Sequence, residues 1–189
     1  MTLRLAAASL FVLSLAACGR PAEAPAPAAP SAPPPPAPAP AGPALTSKGL
    51  GPIRIGMTEA EIRAAVGDAS LEPPAAQASE GCAQLRLRGD YPGVILMLEE
   101  GRLTRIDLDD RSSVRTDRGV GVGATVAEVM AAYPQAVSSP HKYVAAPAAY
   151  LTAWTTPDRE GTVFEVGQEG RVVLIHAGGP SIQYVEGCA

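Results

Sequence analysis

The chain is poor in the residues that most often announce a chemistry. Histidine occurs twice, cysteine three times, tryptophan once and phenylalanine twice in 189 residues. With His141 and His176 as the only imidazoles, no C-x-x-C pair, and neither histidine near a cysteine, the spacing of a metal site is missing. The stretch "GGPSIQ" around Ser181 lacks the G-x-S-x-G elbow of a nucleophilic serine, and no Lys follows the glycines of "RGVGVGATVAE" as a phosphate loop requires. Lys plus Arg number 15 against 19 Asp plus Glu, and the cations form no cluster. Together with the scarcity of aromatic rings, this excludes a nucleic-acid footprint. The sequence therefore implies no metal and no cofactor, and the expectation is a protein that is not an enzyme. A hydrolase using His141 or His176 as base is the alternative.

A membrane-spanning helix needs about 20 apolar residues, and the uncharged run from Leu5 to Ala17 has only 13. Preceded by Arg4, it reads as an export signal over residues 1–17. It ends in Leu15-Ala16-Ala17-Cys18, which resembles the lipobox of bacterial lipoproteins. That resemblance implies lipidation of Cys18, which becomes the mature N-terminus; the alternative is an ordinary signal cleavage with Cys18 incidental. Gly19 in place of Asp implies, by the same resemblance, the outer membrane, with the rest of the chain in the periplasm. Residues 18–47 are dominated by Pro and Ala, as in "PAEAPAPAAPSAPPPPAPAPAGPA". Proline fixes φ and removes amide donors, so this stretch reads as a disordered spacer. In polyproline II form it would reach on the order of 80 Å.

Residues 48–189 have the length of one ordinary domain, and their main feature is an internal repeat. The segment "IGMTEAEIRAA" (55–65) aligns with "VGATVAEVMAA" (122–132) at an offset of 67, and "GVILMLEEGRLTRIDL" (from Gly93) aligns with "GTVFEVGQEGRVVLIHA" (from Gly161). Thr58 with Glu61, and Thr125 with Glu128, form T-x-x-E capping boxes that open helices running to about Val66 and Tyr133. Three segments of strand character follow each helix, and the "EEG" and "QEG" pairs read as hairpin turns. The expected fold is α+β, with two tandem helix-plus-antiparallel-meander repeats, about 49–115 and 116–189. They would form one sheet with the helices packed on one face.

With Cys18 lipidated, Cys82 and Cys188 form an even pair in an oxidising compartment and are expected to bridge. Candidate binding residues gather where the second repeat departs from the first, in "YPQAVSSPHKYVAAPAAYLTAW". This stretch holds Tyr133, His141, Lys142, Tyr143, Tyr150 and Trp154, and aromatic rings supply large contact area at low entropic cost. The alternative is a structural loop, with Trp154 in the core. Gln84, Arg86, Arg88 and Arg105 are expected on one exposed sheet face, and Asp107, Asp109 and Asp110 as a solvated strand end.

These motifs resemble a bacterial envelope lipoprotein built from tandem β-lactamase-inhibitor-protein-like units. They are also similar to the small lipoprotein of the outer-membrane barrel-assembly machinery. "IGMTEAEIRAAVG" and "VGATVAEVMAAYPQ" would be the signatures of the two units. The ending "YVEGCA" and the internal stretch "PHKY" resemble those of a widespread group of secreted bacterial proteins. The resemblance implies a tethered binding module that acts by protein–protein contact in the cell envelope, as an assembly factor or a hydrolase inhibitor.

Overall fold

The computed structural model describes residues 42–67, 70–72 and 79–188. The expected signal segment, Cys18 and the linker up to residue 41 lie outside the described residues. Ordered structure begins before the boundary expected at Lys48. Leu45–Thr46 (β1) pairs antiparallel with Gly49–Leu50 (β2), which pairs with Ile53–Arg54 (β3). Leu45, Leu50 and Ile53 are at most 1% exposed. Each fully buried aliphatic side chain of this kind contributes roughly 1.5–3 kcal/mol, so this stretch belongs to the core.

The elements that follow are α1 (Glu59–Val66), β4 (Leu71–Glu72), β5 (Cys82–Leu87), β6 (Val94–Glu99) and β7 (Arg102–Leu108). After them come α2 (Val126–Ala132), β8 (Val137–Pro140), β9 (Ala149–Thr156), β10 (Glu160–Val166) and β11 (Val172–Gly178), and a 3-10 turn over Pro180–Gln183. The architecture is α+β and dominated by antiparallel strands. The described residues form two sheets where one was expected: β1-β2-β3, and an eight-stranded sheet in the order β4-β5-β6-β7-β11-β10-β9-β8. The first three strands are two residues each, too short to read as strands from sequence. β8 lies in the stretch read as a binding segment or a structural loop, and it forms an edge strand whose four residues are all exposed.

Both helices start as their capping boxes dictate. The Thr58 hydroxyl accepts from the Glu61 amide at 3.3 Å, and the Thr58 amide donates to Glu61 Oε2 at 2.7 Å. Thr125 and Glu128 repeat this at 3.2 Å and 2.7 Å. Ile62 and Val129 are each fully buried, in one core with Leu85, Leu96, Ile106, Phe164 and Ile175. Alternation along each strand then fixes what lies on the other face of the eight-stranded sheet. Register places Asp107, His176, Val163 and Thr152 in one row across β7, β11, β10 and β9, with Glu165, Tyr150 and Ser139 in an adjacent row.

The segment after β11 lies over this second face. Gly161 makes room for it and for Trp154, because a Cβ there would sit 2.8 Å from the Trp154 ring and 3.1 Å from Ile182. Cys82, the first residue of β5, is disulfide-bonded to Cys188, as the cysteine count predicts; the Cα atoms lie 5.5 Å apart.

Candidate functional site

The second face carries charge where solvent was expected. Arg105 and Asp107 are 2% and 3% exposed, which corrects their placement on a solvated face. Arg105 Nη1 donates to the carbonyls of Ser181 and Tyr184, both at 2.9 Å, so the C-terminal segment is what buries it. Its Nη2 donates to Asp107 Oδ2 at 3.1 Å, and its Nε lies 2.8 Å from Oδ1 at ion-pair distance without hydrogen-bond geometry. Asp109 is half-buried between Arg86 and Arg111, and of the three aspartates only Asp110 is exposed.

From Asp107 the network continues across the sheet. His176 Nδ1 is 2.7 Å from Asp107 Oδ1, and its Nε2 faces Glu165 Oε2 at 3.8 Å. Burial disfavours charge on both His176 and Asp107. The pairing outweighs that penalty, holding the His176 pKa above its ordinary value and that of Asp107 below. The facing His176 imidazole lowers the Glu165 pKa against the opposing effect of burial, and His141 adds to the lowering.

His141 Nδ1 accepts from the amides of Tyr143 and Val144 at 3.1 and 3.2 Å. Its proton is thereby assigned to Nε2, which donates to Glu165 Oε1 at 3.0 Å. The ring stacks on Tyr150 with centroids 4.6 Å apart. Glu165, His141 and the backbone of residues 143–144 thus form one brace.

Of the six candidate binding residues, the structure gathers four. His141 and Tyr150 form the base, while Lys142 and Tyr143 stand outward. Tyr143 is 59% exposed, with Lys142 Nζ 5.2 Å from its ring centroid and its hydroxyl donating to Glu186. Trp154 is on the same face, half-buried over Gly161 and outside the core cluster. Tyr133 stands apart: it is 6% exposed in the core, 5.0 Å from Phe164, and Arg118 lies 4.7 Å over its ring. Burial chiefly pushes its pKa up to about 12.

Two hollows border this ensemble. A groove of about 430 Å³ runs beside the disulfide, between Met97 and Glu99 on β6 and Lys142, Tyr184 and Glu186. A smaller cavity of about 140 Å³ is floored by His176, Thr152, Val163 and Tyr150. Sequence reasoning took Arg105 and Asp107 for exposed residues and did not single out Glu165. The one available signal was the bridge from β5 to Cys188, which must draw the last residues across the sheet. Among the described residues, no group of three or more His, Cys, Asp or Glu side chains is arranged to hold a metal ion. None of the described helices is long and apolar enough to cross a membrane.

No family model matches the chain, and no curated protein matches it. Among solved structures it is similar to an extracellular protein containing an SCP domain from Bacillus anthracis str. Ames. The identity is 11% and the TM-score 0.39, over 66% of this chain and 43% of that one. The chain thus spans less than half the length of that protein.

Proposed function

We propose that this protein is a lipid-anchored binding module of the cell envelope. It is held at the outer membrane through Cys18 and acts by protein–protein contact in the periplasm, as an assembly factor or a hydrolase inhibitor. The observation that supports it best is the brace beneath Tyr143. An exposed ring lies next to a groove on a loop fixed by the His141–Glu165 bond, with exposed Tyr184 among the residues that line the groove. A pre-organised aromatic of this kind binds at low entropic cost.

In-cell crosslinking tests this reading. Tyr143→Ala, with an unchanged melting temperature, is expected to abolish recovery of a crosslinked partner, and undiminished recovery counts against the contact. Labelled-lipid incorporation, lost in Cys18→Ala, tests the anchor. The competing hydrolase needs a free base. Both nitrogens of His141 are engaged, and His176 is buried with Nδ1 on Asp107 and a pKa raised by the Asp107 and Glu165 carboxylates, which favours the protonated form that cannot act as a base.

We infer further that the domain is a tandem duplication, which also supports the resemblance to two-unit inhibitor and assembly lipoproteins. Strand order reads β4 to β7 and then β11 to β8, so the second half mirrors the first across the β7–β11 pair. Arg102 Nη1 donates to the Gly56 carbonyl at 2.9 Å, and Arg171 Nη1 to that of Gly123 at 2.8 Å. Register shifts fall at Met97/Leu98 and at Glu165/Val166, which are equivalent positions of the two aligned segments. On that alignment Asp107 and His176 are also equivalent, and they face one another across the β7–β11 pair. Identical residues would meet like with like at this axis, and the Asp and His now there are complementary.

A further inference from the structure

We propose that the small cavity between the C-terminal segment and strands β9–β11 is a binding subsite for a carboxylate of about acetate size. At about 140 Å³ it has room for one small group. Its floor is His176, Val163 and Thr152 in one row and Tyr150 and Ser139 in the next, and residues Ile182 to Val185 wall it. The polar lining offers N–H and O–H groups, and none of the lining residues is an acid.

Two of those groups lack a hydrogen-bonded acceptor, although Glu165 faces His176 at ion-pair distance. His176 is 3% exposed with Nδ1 committed to Asp107, and its Nε2 stands 3.8 Å from Glu165 Oε2, beyond hydrogen-bond reach. The Tyr150 hydroxyl is closed off from solvent and has no hydrogen-bond partner among the described residues. Burial first, and then the Glu165 charge, raise its pKa against the opposing effect of Lys142, so it keeps its proton. Buried donors without acceptors are costly, and one carboxylate bridging the two satisfies both.

Charge selects an anion over a neutral acceptor. Against the effect of burial, Asp107 and Glu165 raise the pKa of the imidazole between them and so favour a proton on each nitrogen, and a charge-assisted bond is about twice as strong as a neutral one. Glu165 Oε1 is occupied by His141 and the residue does not line the cavity. Val163, Ile182 and Val185 suit the alkyl end of the ligand. The carboxylate can be free or carried on an acidic side chain of a protein, and no protein partner is needed to observe it.

The experiment titrates the full chain with sodium acetate and, separately, with acetamide, the uncharged analogue of the same shape, at constant ionic strength. The His176 ring protons are followed by NMR and assigned from the His176→Gln spectrum. Saturable shifts with acetate are expected, at least about tenfold weaker with acetamide. Tyr150→Phe is expected to weaken acetate binding about tenfold, the worth of one charge-assisted hydrogen bond. N-acetyl-aspartate amide separates the sources: binding tighter than acetate assigns a protein-borne carboxylate, and equal or weaker binding a free one. Equal responses to acetate and acetamide, or a response that never saturates, would overturn the proposal. Were Tyr150→Phe to misfold, Thr152→Val replaces it. Unchanged acetate affinity in a folded variant of either kind also counts against the site.

Discussion

Asp107 joins parts of the chain that are far apart in sequence, holding Arg105 and His176 while Arg105 holds the carbonyls of Ser181 and Tyr184. Replacing it by Asn leaves the buried Arg105 guanidinium, and His176 when protonated, without their counter-charge, and Asp107→Asn is expected to cost about 3–5 kcal/mol. The urea midpoint measures this, and a loss below about 1 kcal/mol would mean that water screens the cluster. The same pair shapes the pH profile. A carboxylate held below its ordinary 3.8 stabilises the fold above that value and loses its contribution as pH falls through the folded pKa. An imidazole held above its ordinary 6.5 stabilises below that value and loses its contribution as pH rises through the folded pKa. Stability from this pair is therefore greatest between those two values and declines on both sides. In urea midpoints taken across pH, His176→Gln is expected to remove the alkaline decline and keep the acid one; an alkaline decline that survives would assign it to other groups. None of this was legible in "RLTRIDL". Alternating apolar and charged residues describe a strand with one wet face, and only the covering C-terminal segment makes that face dry.

At the scale of elements the two caps are equivalent and independent, since Thr58–Glu61 and Thr125–Glu128 share no hydrogen-bond partner. Thr58→Ala and Thr125→Ala should each cost about 1 kcal/mol, and the double variant the sum of the two. Thermal unfolding of the three variants checks this, and a double loss well below the sum would mean that the helix starts are held by packing instead. These helices were legible because a capping box is local chemistry, satisfied within four residues whatever the tertiary context. The strands β5 to β7 and β9 to β11 were legible through their apolar alternation, and their turns through Gly101 and Gly170, which both take positive φ. The rest left no periodic trace. Strands β1 to β4 are two residues each, and "VSSP" of β8 buries nothing, so it has no alternation to display. Within the expected binding segment, helix α2 carries Tyr133 to the core face, while strand alternation puts Tyr150 and Trp154 on the other.

On the scale of the whole molecule, the C-terminal segment has two anchors, and they act on different states of the chain. The disulfide joins residues 106 apart in sequence, and constraining the unfolded chain by a loop of that length is worth about 4.7 kcal/mol by chain entropy alone, with about 2–4 typical in practice. Arg105 acts on the folded state, tying down Ser181 and Tyr184, with Ile182 1% exposed beside them. Removing each anchor should therefore give a different signature. The Cys82→Ser, Cys188→Ser double variant is expected to unfold about 2–4 kcal/mol more easily, yet to keep its segment docked. The amides of Ile182 and Tyr184, bonded to the Gly179 and Ser181 carbonyls at 3.1 and 3.0 Å, should then exchange with solvent no faster than the lowered global stability dictates. Arg105→Met keeps the bridge but frees the Ser181 and Tyr184 carbonyls and leaves Asp107 one cation short. Here the same amides should lose protection while those of Ile62 and Val129, inside the two helices, keep theirs. Hydrogen exchange read residue by residue decides between these outcomes. Free exchange at Tyr184 in the disulfide-less variant would show that the bridge, and not the buried arginine, keeps the second face of the sheet covered.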